Sequence, residues 1–141
     1  RLGVTYLPLE ELTARCDIVS LHLPATAEST HMVDRAFLAR MKPGAFLVNT
    51  ARGAIIDDGA LCQAIRSGHL AGAGLDAYAP EPVPADHPLV KLAHEYPDRL
   101  IVCPHQAGIS LTSFHNVYRM LFEDLGRVMA GQRPNNVVNG L

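Results

Sequence analysis

The chain has 141 residues, 48% of them hydrophobic and 18% charged, with a formal net charge of −2. That composition fits one packed domain and excludes a disordered segment. A near-neutral balance gives no general attraction to nucleic acid or anionic membrane, and no run approaches the ~20 apolar residues a membrane helix requires. The N-terminal Arg1-Leu2-Gly3-Val4-Thr5-Tyr6 is no signal peptide and lacks an initiator methionine, so the chain is expected to start within a longer protein. Cys16, Cys62 and Cys103 are widely spaced, with no CxxC pair and no paired histidine spacing. Neither a metal site nor a disulfide framework is expected, and reduced thiols suit a cytoplasmic protein.

Taken in chain order, residues 7–15 predict a short helix with Pro8 in its first turn. Residues 17–23 predict a strand ended by Pro24. Residues 31–41 predict a second helix, with Val33, Phe37, Leu38 and Met41 on one face. Pro43-Gly44 predicts a tight turn, and residues 45–49 a nearly continuous apolar strand of the kind covered on both faces. A third helix is expected from Asp57 or Asp58 to about Ser67, with Gly68 at its C-terminus. Residues 70–75 form a small-residue strand. Four prolines make residues 80–88 a loop. Residues 100–103 give another strand, stopped by Pro104. A long helix over about residues 110–130 carries Val117, Leu121, Leu125 and Val128 as a stripe, ends at Gly131, and leaves a tail over 135–141.

Strands alternating with helices predict an α/β fold with a parallel sheet. Right-handed crossovers bring every strand's carboxyl end to one edge, where ligands of such sheets bind. The residues just past the strands are His22-Leu23-Pro24, Asn49-Thr50-Ala51-Arg52-Gly53, Asp76-Ala77-Tyr78-Ala79-Pro80-Glu81 and Pro104-His105-Gln106-Ala107-Gly108. An arginine, acidic residues and two histidines on one edge suit redox chemistry on a small anionic 2-oxo or 2-hydroxy acid. A guanidinium grips a carboxylate with a bidentate fork. A histidine moves the hydroxyl proton, and a carboxylate on its other nitrogen fixes the tautomer.

Four linked segments carry a family resemblance: CDIVSLHLPATAEST (16–30), MKPGAFLVNTARGAIIDDGAL (41–61), AGAGLDAYAPEP (71–82) and CPHQAG (103–108). In order and spacing they resemble the D-isomer-specific 2-hydroxyacid dehydrogenases, over essentially the whole chain. The resemblance implies a partial Rossmann-type, doubly wound parallel sheet using NAD or NADP, with residues 1–141 as the C-terminal half of the dinucleotide-binding domain. The first βαβ unit with its glycine loop, and the substrate domain, would lie outside the chain, which alone is then expected to be inactive. By resemblance Arg52 binds the substrate carboxylate, His105 is the acid/base and Glu81 its partner. Asp76 lies near the nicotinamide amide, His22 and Pro24 line the cofactor cleft, Thr50 and Ala51 touch it through backbone, and Gly108 belongs to the same cofactor set. The family's habit implies a homodimer. Glu81 stands where formate-using relatives carry glutamine, which disfavours that branch. An NAD(H)-sensing, corepressor-like module of the same superfamily is the alternative to an enzyme.

Gly72-Ala73-Gly74-Leu75-Asp76-Ala77 matches a G-x-G-x-x-A pattern. A phosphate loop needs a helix directly after it, and Pro80 and Pro82 forbid one here. The small residues are expected to admit a helix packed closely on the strand instead.

Overall fold

A computed structural model describes residues 3–137 as two units, 3–107 and 108–137. The first unit contains α1 (Leu9–Arg15), β1 (Ile18–Leu21), α2 (Arg35–Arg40), β2 (Phe46–Asn49), a 3₁₀ turn over Gly53–Ile55, α3 (Asp58–Arg66), β3 (Gly72–Leu75), α4 (Pro88–Glu95) and β4 (Leu100–Val102). The strands form one parallel sheet in the order β1-β2-β3-β4. The fold is therefore α/β, as the alternating pattern predicts. Sequential order combined with right-handed crossovers sends the connecting helices to one face of the sheet.

Alternation along the strands shows which face that is. Val19, Leu21, Leu47, Ala73, Leu75 and Leu100 point into the core with Phe37, Leu38, Leu61, Ile65 and Leu92 from the helices. Ile18, Phe46 and Ile101, on the opposite face, are 61%, 48% and 63% exposed. Within this unit the apolar run over residues 45–49 is thus covered on one side only, contrary to its predicted two-sided burial.

Local chemistry explains most element ends. Asp57 caps α3 by accepting from the Ala60 N–H at 3.0 Å, and Gly68 follows the helix at φ +80°. Pro43-Gly44 forms a type II turn: Gly44 sits at φ +81° and the Ala45 N–H donates to the Lys42 carbonyl at 3.0 Å.

Two elements depart from the sequence reading. The second helix starts at Arg35, not at residue 31, because Asp34 caps it through the Phe37 N–H at 2.7 Å. The preceding residues are not helical: a turn ends at His31, at φ +52°, whose N–H donates to the Ala54 carbonyl, and Val33 is fully buried through a parallel bridge to Ile56. The region assigned to a proline loop ends in a further helix, α4, with Pro88 at its first position and Leu89 and Leu92 buried.

The second unit is α5 (Leu111–Met129), capped by the Ser110 hydroxyl and ended by Gly131 at φ +71°. Asp124 accepts from the Asn135 and Asn136 N–H groups and from the Asn136 side chain, which holds the tail against the helix. These bonds, that from Asn135 foremost, keep the Asp124 carboxyl below the ordinary range. The stripe Val117, Leu121, Leu125 and Val128 lies on the exposed surface of this helix. Residues 138–141 of the predicted tail lie outside the described residues. Among the described residues no helix is long and apolar enough to cross a membrane.

Candidate active site

Four loops leave the carboxyl ends of β1 to β4, and three of them carry the predicted acid, base and cation. The loop after β2 is shaped by Asn49, which is fully buried. Its side-chain oxygen accepts from the Ala51 N–H at 3.0 Å and its amide donates to the Arg52 carbonyl at 2.9 Å. This self-closing turn pushes Arg52 outward, where its guanidinium donates to the Ala51 carbonyl at 2.7 Å and is otherwise open to solvent.

The loop after β3 comes against this turn at Gly53. A Cβ placed there would lie 1.9 Å from the Tyr78 carbonyl carbon, so only glycine fits. Tyr78 is buried; its hydroxyl donates to the Leu75 carbonyl at 3.1 Å, and burial pushes its pKa up to about 12. Its backbone N–H donates to Glu81 Oε1 at 3.0 Å. The other oxygen, Oε2, lies 2.8 Å from His105 Nδ1. The Tyr78 N–H, and after it His105, hold the Glu81 carboxyl below the ordinary carboxylate range.

His105 leaves β4 with its backbone at φ +54°, the left-handed region that non-glycine residues avoid. Asp76 holds it there. Its two oxygens accept from the Gln106 and Ala107 N–H groups, each at 2.8 Å, and the residue is 6% exposed. Both of its oxygens are thus engaged by the loop that presents His105.

A cavity of about 320 Å3 joins these groups, lined among others by Arg52, Gly53, Tyr78, Glu81 and His105. With Nδ1 on Glu81, His105 is left with Nε2 as the nitrogen that can exchange a proton with a bound molecule. A cation, an oriented imidazole and a carboxylate thus share one opening.

A second cavity of about 490 Å3 lies on the uncovered side of the sheet at the ends of β2, β3 and β4. Val48, Thr50, Gly74, Asp76 and Ile101 contribute to it. The floor at Gly74 is bare: a Cβ there would meet nothing within 4 Å. Such a flat, mostly apolar recess beside a polar pocket fits the ring of a nicotinamide.

The predicted residues separate accordingly. Arg52, Glu81 and His105 come together, and Thr50 and Asp76 line the neighbouring recess. Ala51 is buried and contributes its backbone to the Asn49 turn. His22 is exposed past β1, its Nε2 2.8 Å from the Ser20 hydroxyl, and Pro24 is exposed with its carbonyl accepting from Ser29. Gly108 opens the second unit and is not among the residues the first unit gathers. Sequence reading did not single out Tyr78 or Asn49; the second was signalled by its place in the NTARG segment, whereas the first acts through a backbone N–H. The Gly72-Ala73-Gly74 pattern is strand β3 and no helix follows it before α4, so it is not a phosphate loop. Of its small residues, Ala73 faces the helices in the core, whereas Gly72 is required for another reason: a Cβ there would lie 2.6 Å from the Arg99 carbonyl oxygen of the neighbouring chain segment.

Residues 1–107 match the profile of the D-isomer specific 2-hydroxyacid dehydrogenase, NAD binding domain. A glyoxylate reductase of Korarchaeum cryptofilum is 44% identical over 138 residues, which is 98% of this chain and 40% of the relative. A D-lactate dehydrogenase of Lactobacillus jensenii, solved with NAD+, superposes with a TM-score of 0.87 at 32% identity, covering 96% of this chain and 43% of that one. A D-isomer specific 2-hydroxyacid dehydrogenase of Xanthobacter autotrophicus Py2, solved with NADPH, gives 0.78 at 34% identity, covering 93% of this chain and 51% of that one. The chain thus spans about two fifths of the length of the first of these relatives. With the matched profile and the parallel sheet in agreement, the chain belongs to the D-isomer-specific 2-hydroxyacid dehydrogenase family and carries sequence of its NAD-binding domain.

Proposed function

We propose that the whole protein is a nicotinamide-dependent oxidoreductase that interconverts a small 2-oxoacid and its D-2-hydroxyacid. The observation that supports this reading most directly is the 2.8 Å contact between Glu81 Oε2 and His105 Nδ1 in a cavity that also holds Arg52.

Arg52 holds the substrate carboxylate through its guanidinium fork, which fixes the adjoining carbonyl toward His105. In the reducing direction His105 carries a proton on Nε2 and gives it to the carbonyl oxygen; in the oxidising direction it takes that proton back. Glu81 keeps Nδ1 protonated throughout and stabilises the imidazolium. Asp76 and the left-handed backbone of His105 hold the ring toward the opening. Thr50, Gly74 and Asp76 are the residues that would hold the nicotinamide ring; when bound, that ring supplies or receives hydride at the substrate carbon. The adenosine half is bound by parts of the whole protein outside these residues, since no strand-to-helix glycine turn occurs among those described.

In the whole protein, changing His105 to Ala should lower turnover with NADH and a 2-oxoacid by about 10²- to 10⁴-fold and leave the Kd for NADH unchanged. Full turnover by that variant sinks the assignment. A wild type that binds NADH but reduces no 2-oxoacid favours a cofactor-sensing module over an enzyme. The 141 residues alone should bind NADH weakly and turn over nothing. The protein is read as a cytoplasmic homodimer, the first half of which rests on three free thiols; light scattering on the whole protein checks the second.

A further inference from the structure

The segment that carries Glu81 has little backbone bonding of its own. Among the described residues, Ala79 to Asp86 contain three prolines with no N–H, and the single backbone–backbone hydrogen bond at this stretch is from the His87 N–H to the Pro84 carbonyl at 3.0 Å. Glu81 is nevertheless fixed on both oxygens. Something beyond the loop's own ladder must set where Tyr78 and Ala79 lie.

His87 occupies the place from which this can be done. It is 6% exposed, at the N-terminus of α4. Its Nδ1 accepts from the Leu89 N–H at 3.3 Å, so in the neutral ring the proton sits on Nε2. That nitrogen lies 3.4 Å from the Ala79 carbonyl oxygen and 3.2 Å from Asp58 Oδ2 at the start of α3. The ring also packs edge-on to Tyr78, with 6.2 Å between centroids and 73° between planes. One buried imidazole thus joins the start of α3, the start of α4 and the two residues that precede Pro80.

Resting on the function proposed above, we infer that His87 is a positioning residue for that reaction: through Ala79 and Tyr78 it sets the placement of Glu81, and through Glu81 the orientation of His105. It touches neither substrate nor cofactor. The bland alternative is a helix cap and nothing more, and the two roles use different nitrogens.

Two substitutions in the whole protein separate them. His87→Asn keeps an oxygen able to accept from the Leu89 N–H, since asparagine is among the best caps, but is too short to reach Ala79. His87→Gln extends an amide N–H toward Ala79 and Asp58 while giving up the cap. A tether predicts that His87→Asn retains wild-type melting and NADH Kd while kcat falls on the order of 10-fold, the cost of an ångström-scale misplacement. It predicts that His87→Gln melts lower yet recovers most of kcat. A His87→Asn protein with wild-type kcat, or a Gln variant no faster than the Asn variant, overturns the inference and leaves the proposed function standing. A wild type that reduces no 2-oxoacid takes down the proposed function and the tether with it.

Discussion

Gly53→Ala is the sharpest perturbation the structure offers. The added methyl would lie 1.9 Å from the Tyr78 carbonyl carbon and 2.3 Å from its Cα and oxygen, where ordinary contacts begin at 3.4 Å. One of the two backbones must therefore yield by about 1.5 Å, the difference between those distances, and no side-chain rotation can relieve it. Forced overpacking of this kind costs about 3 kcal/mol. The same movement displaces the Tyr78 N–H that holds Glu81 Oε1 at 3.0 Å, so the partner of His105 is lost from its place. An ångström-scale shift near the reacting groups lowers turnover on the order of 100-fold. The assay is kcat for 2-oxoacid reduction by the whole protein alongside its urea midpoint. Wild-type stability together with wild-type kcat would refute the close approach of the two loops and the argument built on it.

Gly74→Ala should behave in the opposite way. Its methyl meets nothing within 4 Å, so melting is unchanged, while the recess it enters is reduced and the Kd for NADH rises several-fold by calorimetry. Asp76→Asn replaces one of two accepting oxygens with an N–H2 group facing an N–H. The cost is about 2 kcal/mol, read as a lower urea midpoint, together with a fall in kcat as the left-handed turn at His105 loosens; unchanged values of both would show that the bonds to Gln106 and Ala107 are dispensable. The Glu81 carboxyl is held below its ordinary value, first by the Tyr78 N–H and then by His105. A depressed folded-state pKa stabilises the protein above the unfolded value of about 4.3. That contribution is lost as the pH falls through the lower folded value. The stability gap between wild type and Glu81→Gln should hold steady above about pH 5 and narrow below about pH 4; a gap that widens on acidification contradicts the bonding described.

The legible parts of the candidate site were those written in side chains at strand ends. Arg52, Glu81 and His105 could be named because four short segments occur in one order, and the sheet then gathers them. What could not be read lies in the backbone. Tyr78 works through its N–H, which every residue but proline has, and Gly53 matters because of a loop 25 positions away in the chain. Val33 shows how a spacing can mislead: with Phe37, Leu38 and Met41 it makes a fair helical stripe, yet it is buried by a parallel bridge to Ile56. Asp34, an N-cap residue three positions before Phe37, was the available sign that the helix starts later. Pro88 hides the helix α4, because a fourth proline reads as the end of a proline-rich loop although proline is also favoured at a helix's first position.

The order β1-β2-β3-β4 also acts as a ruler. Arg52 follows β2, Glu81 follows β3 and His105 follows β4, so the roots of the three loops stand one strand spacing apart, about 4.8 Å each. Hydrogen-bonded strands keep that interval to within a few tenths of an ångström, whatever sequence they carry. Side chains facing the helices can therefore drift over evolutionary time without disturbing the intervals between guanidinium, carboxylate and imidazole. A slip of one residue in pairing is different, because it turns every side chain of a strand to the other face. The spacing tolerates substitution and punishes misregistration, so under the proposed function turnover would report on the pairing of the sheet as much as on the three side chains themselves.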